Sequence, residues 1–544
     1  MCQAPKVRNG KLRISGSSQE RFLGTPVFPD GYRLGVRPPR YYRYARRGSV
    51  VRMLSKSRFQ KGLQCEKALW LAVHRRHVAT PPSESQRWIF DQGSEVGELA
   101  RDIFPGGVEV TEDYMHGSRA LATTAHLLSS GAGILYEPAF AFGGAFARID
   151  ILVETDDGRW DLYEVKSSAS LKQVHVTDAA VQAFVVEGSG LTLRTVNIVH
   201  LDTGYVYGGG PYDLEALFAI EDVTAAVREY IPEVPGVIAR LQAVLEGPEP
   251  DVRIGGQCTS PYPCEFREYC HAFLPVAHPV TGLPRLEEMQ LHALLDAGVL
   301  SIADVPEDFG GLTVAQQDAV EVVKAGVPRV DRRGLARDLH AVRWPVYHLD
   351  FETIASALPL WPGTRPYETI PFQYSVHVEQ QDGRLEHREY IHRGTDDPRF
   401  ELARHLIHDL DTTGSVTHYT RYERTQLASL AKALPGQARV IAEIEDRLLD
   451  LEPVIRNNTR HPAAAGRSSI KAVLPAWCPD CSYAGLAIAD GQTASVRYLR
   501  IVKGMADEVE AEATLRELIE YCGLDTYAMV RLLGEMMCLA RENA

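Results

Sequence analysis

The hydrophobic pattern changes its period several times along the chain. From residue 53 to about residue 130, apolar side chains such as Leu63 and Leu69 recur at helical spacing. Phe146–Val153 and Trp160–Lys166 then alternate as two strands, joined by the turn residues Asp156–Gly158. A helical segment followed by a strand–turn–strand unit is therefore predicted for the first part of the chain.

A helix and a further strand are predicted after this hairpin. Ala179, Val181 and Phe184 indicate the helix, and Arg194–Leu201 indicates the strand. This order of elements is typical of an α/β domain.

Later residues predict a connector and a second α/β region. Residues 279–343 indicate a small helical connector, in which Leu294–Pro306 has the rhythm of a helix–turn–helix. Such an element either binds the DNA backbone without reading its sequence or serves as a plain spacer, and the spacer is the better interpretation. Pro345–Glu352 then begins a series of strands and helices, and its last helix carries Asp525.

Length and composition set the outer limits of this interpretation. A chain of 544 residues is too long for one hydrophobic core, so two or three domains are expected. Its 45% hydrophobic and 24% charged residues are ordinary for a globular protein. The sequence has neither a run of 18 apolar residues nor the apolar core of a secretory signal, so we expect a cytoplasmic protein without a membrane partner.

The net charge of −13 is unevenly distributed. Residues 1–52 contain twelve Lys and Arg against two acids, giving +10, and the remainder therefore carries −23. This first segment is predicted to be a disordered basic extension. Two interpretations stay open, a DNA-binding arm or an upstream artefact of a protein that starts at Met53. The acidic remainder does not exclude nucleic acid, because binding requires only a local basic groove.

The hairpin carries the first group of candidate catalytic residues, called the first site. Glu164 and Lys166 lie two apart on a strand and so share a face, and the hairpin can bring Asp150 beside them. The two carboxylates and the backbone carbonyl of Val165 suit a divalent cation, and Glu137, predicted on the preceding strand, adds an outer carboxylate. Lys166 can then orient the attacking water or stabilise charge on a phosphate.

Written as Asp150…Glu164-Val165-Lys166, this set resembles the motif of the PD-(D/E)XK nucleases. The resemblance implies a restriction-endonuclease-like fold and hydrolysis of phosphodiester bonds with Mg²⁺ or Mn²⁺.

Four cysteines flank the first site. Cys65 precedes it, and Cys258, Cys264 and Cys270 follow it. Four thiolates suit either zinc or an iron–sulfur cluster. Their one-plus-three arrangement resembles that of RecB-like nucleases, as in the CRISPR-associated exonucleases and the AddB-type helicase-nucleases. This resemblance implies a 4Fe–4S cluster that staples the domain, with zinc as the alternative.

The sequence departs from that family at two positions. A histidine is common on the family's first helix, where this chain has Gly97. The family also tends to have a tyrosine four residues after a glutamine, whereas Gln182 is followed by Val186. The missing histidine puts a contact to the metal of the first site in question.

A second group of carboxylates, called the second site, lies in the C-terminal half. Asp350 and Glu352 share one face at the end of an apolar strand. Tyr521 and Asp525 lie one helical turn apart on one face of a helix, and Glu423 precedes them in the chain. Several carboxylates of this kind are needed to hold two metal ions.

This ordered set resembles the DnaQ-like (DEDD) exonucleases, whose fold is RNase H-like. The resemblance implies that Asp350, Glu352, Glu423 and Asp525 bind metal and that Tyr521 positions the attacking water. Glu423 stands where the family has an aspartate, so its longer side chain requires an adjusted geometry.

Other candidate residues have plainer interpretations. Lys471 either contacts a phosphate or is a solvated lysine, and the second is favoured. Cys478 and Cys481 form a lone CxxC, which is a poor zinc site without a second pair. Cys522 and Cys538 are predicted to be ordinary helix cysteines.

Together the resemblances cover about residues 53–540 and predict an α/β protein of four segments. These are a basic extension (1–52), a RecB-like PD-(D/E)XK domain (53–278), a helical connector (279–343) and a DnaQ-like RNase H-fold domain (344–544).

The implied function is metal-dependent hydrolysis of nucleic acid, with single-stranded DNA as the expected substrate, in DNA repair, recombination or defence. Three alternatives stay open. The DEDD site alone can be active, with the RecB-like half as a DNA-binding module. The enzyme can trim RNA, or the protein can be a non-catalytic, redox-sensitive nucleic-acid scaffold.

Overall fold

The N-terminal half begins with a mainly helical stretch, as the hydrophobic period predicts. A computed structural model describes residues 53–541, so the predicted basic extension lies outside the described residues. The helices of this half are α1 (Lys56–Gln64), α2 (Glu66–His74), α3 (Glu84–Arg101), α4 (Gly117–Ser129), α5 (Gln173–Gly188), α6 (Leu214–Leu217), α7 (Thr224–Tyr230), α8 (Val234–Glu246) and α9 (Arg267–His271). Its strands are β1 (Leu54–Ser55), β2 (Val108–Glu109), β3 (Ile134–Tyr136), β4 (Ala139–Phe142), β5 (Ala145–Arg148), β6 (Ile151–Glu154), β7 (Trp160–Lys166), β8 (Leu193–Leu201) and β9 (Phe218–Asp222).

A six-stranded sheet in the order β2-β3-β6-β7-β8-β9 forms the centre of this half. Strands β3, β6 and β7 are antiparallel, whereas β8 pairs with β7 in parallel. The parallel pair requires a crossover, which α5 provides. Because α5 packs on the sheet and on α1 and α7, it is buried on nearly all sides, with Val176, Ala180 and Val185 in the core.

Two predictions about this region are wrong in detail. Phe146–Val153 is not one strand, because β5 pairs with β1 and β4 in a separate three-stranded sheet and β6 joins the six-stranded sheet. Asp150 therefore lies where the chain passes from one sheet to the other. Glu137 follows β3 instead of lying within a strand, and its backbone has a left-handed φ of 56°.

The predicted connector is helical and packs on the segment that holds the later cysteines. It contains α10 (Glu288–Asp296), α11 (Val314–Ala325), β10 (Arg329–Val330) and α12 (Arg332–Leu339). Val280, Leu294 and Val320 share a core with Ile254 and Cys258. The residues after Gly298 form a short 3₁₀ turn at Ile302–Asp304, so the predicted helix–turn–helix rhythm does not produce two adjacent α-helices.

A second sheet forms the centre of the C-terminal half. Its helices are α13 (Arg399–Asp409), α14 (Tyr422–Ala433), α15 (Ala438–Glu445), α16 (Leu451–Asn458), α17 (Ile470–Trp477), α18 (Gly491–Val502) and α19 (Glu508–Arg541). Its strands are β11 (Val346–Ile354), β12 (Ile370–Glu379), β13 (Leu385–Ile391), β14 (Ser415–His418), β15 (Leu448–Asp450) and β16 (Thr459–Arg460), the last of which pairs with β10.

The five-stranded sheet has the order β13-β12-β11-β14-β15, which places β11 at its centre. Strands β11, β12 and β13 are antiparallel, and β14 and β15 continue the sheet in parallel with β11. Helix α19 lies across β11 and β12. The predicted strand at Pro345–Glu352 and the predicted final helix are both confirmed.

The two halves pack directly on each other. Lys503 Nζ at the end of α18 lies 2.6 Å from Glu95 Oε2 on α3, and the Lys503 ammonium also lies over the Trp88 ring. The Tyr367 hydroxyl, in the segment after β11, donates a hydrogen bond to the carbonyl of Ser167 at the end of β7. None of the helices within residues 53–541 has the length and apolar character that crossing a bilayer requires.

Candidate active sites

Strand β7 presents Glu164 and Lys166 on one face, as its period predicts. Lys166 Nζ lies 2.5 Å from Glu164 Oε1, and Lys56 Nζ at the start of α1 lies 2.8 Å from the same oxygen. Glu164 is 1% exposed. Burial opposes its ionisation, but the positive charges of Lys166 and Lys56 outweigh that effect and hold the Glu164 pKa well below its usual range.

Asp150 reaches the same face from the crossing between the two sheets. The backbone N–H of Val165 donates a hydrogen bond of 2.7 Å to Asp150 Oδ2. Burial, followed by repulsion from Glu164, raises the pKa of Asp150 to about 7. The structure thus brings together Asp150, Glu164 and Lys166, and the Val165 backbone lies beside them.

Helix α5 adds two polar residues that the sequence analysis did not assign to the first site. Asp178 Oδ2 accepts a hydrogen bond of 2.5 Å from Lys166 Nζ, and Gln182 Nε2 donates one of 2.7 Å to Glu164 Oε2. Asp178 Oδ1 and Gln182 Oε1 are buried without a hydrogen-bond partner. Asp178 and Gln182 lie four residues apart around the apolar run Ala179–Val181, and this spacing, which puts both on one helix face, was the available signal. Lys56 gave no such signal, because it lies 108 positions from Glu164.

Glu137 is turned toward arginines instead of the other carboxylates. Its Oε2 lies 3.4 Å from Arg148 Nε, and its Oε1 lies 3.5 Å from Arg101 Nη2. Its charge still contributes to the raised pKa of Asp150. Glu137 therefore lies beside the first site, and two guanidinium groups already neutralise its charge.

The four predicted cluster cysteines surround one cavity. Cys65 lies at the junction of α1 and α2, and the other three lie on the segment that includes α9. All four are free thiols, and burial raises the pKa of Cys65 and Cys270 and brings that of Cys264 to about 11. Among the described residues, no three of these sulfurs lie within 4.8 Å of one another.

The second site begins on the central strand β11. Asp350 and Glu352 pair with Ser375 and Gln373 of β12, and the register shifts directly after Glu352. Glu352 is 6% exposed. One ligand atom each of Asp350, Glu352 and Cys522 lie within 4.8 Å of one another, which is close enough for a common cation.

Helix α19 contributes Tyr521, Cys522 and Asp525, all of which are buried. Cys522 Sγ lies 3.5 Å from Asp350 Oδ2, so the thiol faces the carboxylates. The prediction that Cys522 is an ordinary helix cysteine is therefore wrong. The helical period alone cannot show this, because a thiol that faces an apolar core and one that faces carboxylates occupy the same kind of buried position.

Glu423 enters the site from the first turn of α14. It is 3% exposed, and its Oε2 atom is buried without a hydrogen-bond partner. His418 Nδ1 lies 3.3 Å from that oxygen but bonds the carbonyl of Thr420. The charge of Glu423 acts on Asp350, so the middle acid of the predicted series faces the others.

Two residues complete the polar lining of the second site. Tyr483, in the loop before α18, donates a hydrogen bond of 2.5 Å to Asp525 Oδ1. Lys471 donates from Nζ to the Tyr521 hydroxyl at 3.1 Å and to the carbonyl of Ala489 at 2.6 Å. Lys471 is exposed, as the favoured interpretation predicts, but these two hydrogen bonds also hold its ammonium beside the site. Tyr483 was missed because nothing in a loop sequence indicates which element the loop covers.

The carboxylates of the second site repel one another in a buried space. Burial and then the charge of Asp525 raise the pKa of Asp350 well above its usual range, and burial and then Asp350 do the same for Glu352. Burial likewise raises the pKa of Glu423 to about 8 and that of Asp525 to about 6. Such a group is stable in its ionised form only when cations neutralise it.

The two sites differ in how much of their charge the protein itself neutralises. The first site has three acids, Asp150, Glu164 and Asp178, against Lys56 and Lys166. At the second site, four acids face one another and Lys471 supplies a positive charge beside Glu352 and Asp525. The second site therefore keeps the larger uncompensated negative charge.

Comparison with known proteins adds a family match within the C-terminal half. A family described as "Domain of unknown function (DUF2779)" matches residues 347–469, which include Asp350, Glu352 and Glu423. No curated protein matches the chain. A solved structure titled "Crystal structure of SSO0001" is 12% identical over 41% of this chain and 88% of that chain, with a TM-score of 0.20. A similarity of that size supports no statement about fold or function.

Proposed function

We propose that the protein is a metal-dependent nuclease whose second site hydrolyses phosphodiester bonds. One observation carries the proposal. Asp350, Glu352, Glu423 and Asp525 are gathered from three separate elements into one buried group of like charges. Proteins rarely accept the cost of burying uncompensated acids unless cations bind there.

The donor set of the second site fits divalent cations. Carboxylate oxygens are preferred by Mg²⁺ and Mn²⁺, and Oε2 of Glu423 is a buried acceptor without a hydrogen-bond partner. Asp350, Glu352, Glu423 and Asp525 would hold the ions. When bound, such ions supply Lewis-acid chemistry that polarises a phosphoryl oxygen and favours ionisation of water.

The other residues of the second site have roles that follow from their contacts. The Tyr521 hydroxyl accepts a hydrogen bond from Lys471 and also bonds Asp525, so it is positioned among the carboxylates where it can orient an attacking water. The Lys471 ammonium, fixed by the Ala489 carbonyl, can offset negative charge that develops on a phosphate. Tyr483 orients Asp525 through its hydroxyl hydrogen bond.

The strand order supports assigning this half to the DnaQ-like, RNase H-like class. Asp350 and Glu352 lie on the central strand β11, with the antiparallel strands β12 and β13 on one side and the parallel strands β14 and β15 on the other. We extend the assignment to 3′-end trimming of single-stranded DNA, in DNA repair, recombination or defence.

The first site supports a second nuclease centre of the RecB-like PD-(D/E)XK class. Asp150, Glu164 and Lys166 face one another, and Asp178 Oδ1 is a buried acceptor without a partner. We propose that Cys65, Cys258, Cys264 and Cys270 hold a 4Fe–4S cluster. All four cysteines line one cavity, and four thiolates suit such a cluster, with zinc as the alternative.

One observation favours the alternative in which the first site binds nucleic acid without cutting it. Both oxygens of Glu164 are already engaged, one by Lys56 and Lys166 and the other by Gln182. A cation at Glu164 must therefore compete with two ammonium groups. The same competition does not arise at Glu423.

Cleavage of end-labelled single-stranded DNA with Mg²⁺ or Mn²⁺ tests the proposal. Asp350→Asn and Asp150→Asn are compared with wild type and with Asp480→Asn, a matched change at an exposed aspartate paired with Arg531. We expect the cleavage activity of Asp350→Asn to be at least roughly 100-fold lower than that of wild type, because several kcal/mol of charge stabilisation disappear.

The products distinguish the alternatives. If Asp350→Asn and Asp150→Asn lose different product ladders, both sites cut. If Asp150→Asn cuts as wild type does, the first half is a binding module. Wild-type protein that cuts neither DNA nor a matched RNA oligomer refutes the nuclease proposal.

A further inference from the structure

A large groove lies between α1, α3 and the cysteine segment, and it is here called the arginine groove. Its volume is about 1120 Å³. Arg58 of α1, Arg76 after α2 and Arg267 of α9 line it. Within residues 53–541, none of these three guanidinium groups pairs with a carboxylate. They therefore stay available for an anionic ligand, in a protein whose body is strongly acidic.

An aromatic side chain accompanies these charges. Phe90 of α3 lines the same groove and is 64% exposed, which is unusual for a large apolar residue. The acids in the lining are Glu265, which Lys61 neutralises at 2.5 Å, and Glu268. Unpaired cations beside an exposed ring are the features that bind the phosphates and bases of single-stranded nucleic acid.

Two of the elements that line the arginine groove, α1 and α3, also extend to the first site. Ser57 and Arg58 line the groove directly after Lys56, whose ammonium contacts Glu164. On α3, Phe90 lies one turn before Gly93, and a side-chain carbon at Gly93 would lie 3.6 Å from the hydroxyl oxygen of Ser167, the residue after Lys166. The groove also shares Cys264, Phe266 and Arg267 with the cysteine cavity.

We propose that the arginine groove binds single-stranded nucleic acid and leads it toward Glu164 and Lys166. The proposal adds a substrate-binding surface to the proposed nuclease function. It rests on that function for the path of the nucleic acid toward the first site, whereas binding in the groove does not depend on cleavage. The guanidinium groups contact phosphates, and Phe90 stacks on a base. Bases in a duplex are already stacked on one another, so an unpaired strand fits better than a double helix.

Fluorescence anisotropy of a labelled oligo(dT) 20-mer in EDTA measures binding without cleavage. The triple variant Arg58→Ala, Arg76→Ala, Arg267→Ala is compared with Arg119→Ala, an exposed arginine on α4 outside the groove. We expect affinity to fall by about 10- to 100-fold, and the slope of log K against log salt to flatten by about two, because three phosphate contacts are lost. Arg119→Ala binds as wild type does.

Two further variants separate ligand contacts from folding. The triple Arg→Lys variant keeps the charges and should bind within about threefold of wild type. Phe90→Ala should bind about tenfold more weakly and Phe90→Trp should not, because stacking on one base contributes about 1–3 kcal/mol. Competition with oligo(rU) and with duplex DNA identifies the preferred strand.

Unchanged affinity and salt dependence in a folded triple Ala variant would overturn the groove proposal while leaving the nuclease proposal intact. Tighter binding of duplex than of single strands would also overturn it. Conversely, groove-dependent binding by a protein that cuts nothing would uphold the groove and reject the nuclease function.

Discussion

The thiol of Cys522 lies 3.5 Å from Oδ2 of Asp350, which places a soft ligand among the hard carboxylates of the second site. Both residues are held by regular structure, Asp350 by the central strand and Cys522 by the long final helix. Their distance is therefore set by the packing of α19 on β11. The contact should therefore affect which metal ions the second site prefers.

We expect thiophilic ions to inhibit the second site through Cys522. Cd²⁺ and Zn²⁺ bind thiolates more strongly than Mg²⁺ does, so either ion should displace Mg²⁺ and block cleavage. Cys522→Ser should need at least about tenfold more Cd²⁺ for half-inhibition, because the soft ligand is removed. Cleavage assays with Cd²⁺ titrated against fixed Mg²⁺ measure this, with Cys538→Ser as the control. Equal sensitivity of wild type and Cys522→Ser would contradict a thiol contact with the bound ion.

Stability without metal should fall as the pH rises. Folding raises the pKa of Asp525 to about 6 and that of Glu423 to about 8, whereas unfolded Asp and Glu titrate near about 3.9 and 4.3. Between those limits the folded protein binds more protons than the unfolded chain, so the free energy of unfolding decreases with pH. The loss should occur between about pH 4 and pH 8, at up to about 1.4 kcal/mol per pH unit for each group.

Urea unfolding in EDTA from pH 5 to pH 8 measures this dependence. Glu423→Gln should flatten it, and Mg²⁺ or Mn²⁺ should restore stability at pH 8, because a bound cation replaces the protons. A free energy of unfolding that rises over this range in EDTA would argue against mutual repulsion at the second site.

Lys56 should be needed for the stability of the protein. Its ammonium neutralises Glu164, which is almost fully buried, so Lys56→Met should lower the free energy of unfolding by about 2 kcal/mol. Lys166 still pairs with Glu164, which limits the loss. The control is Lys432→Met, at an exposed position on α14. Chemical denaturation compares the two variants, and equal midpoints would show that Lys56 is dispensable.

Removal of one cluster cysteine should release the bound metal. Cys65→Ser or Cys270→Ser opens the one-plus-three set that joins α1 and α2 to the segment of α9, so iron content and melting temperature should both fall. Cys478→Ser lies outside the set and should keep the metal. Elemental analysis of purified protein measures iron, sulfide and zinc. One zinc per chain without iron would replace the 4Fe–4S proposal with the zinc alternative.

The sequence determined the local features of this protein. Strand β7 lies where its alternation predicts, and Glu164 and Lys166 share a face because side chains two apart on a strand always do. The same rule placed Asp350 beside Glu352, and the helical period placed Tyr521 and Asp525 on one face. These relationships depend on a few consecutive residues, so they can be read from the chain.

The tertiary structure alone decided which distant residues complete each site. Lys56, Tyr483 and Cys522 reach the carboxylates from other elements, and their local sequence is the same whether they face a site or a core. Phe146–Val153 shows the same limit, because its alternation continues through Ile149 although its strand partners change there. The hydrophobic period depends on residues that are neighbours along the chain. Strand pairing and side-chain packing depend on residues that can lie about a hundred positions away.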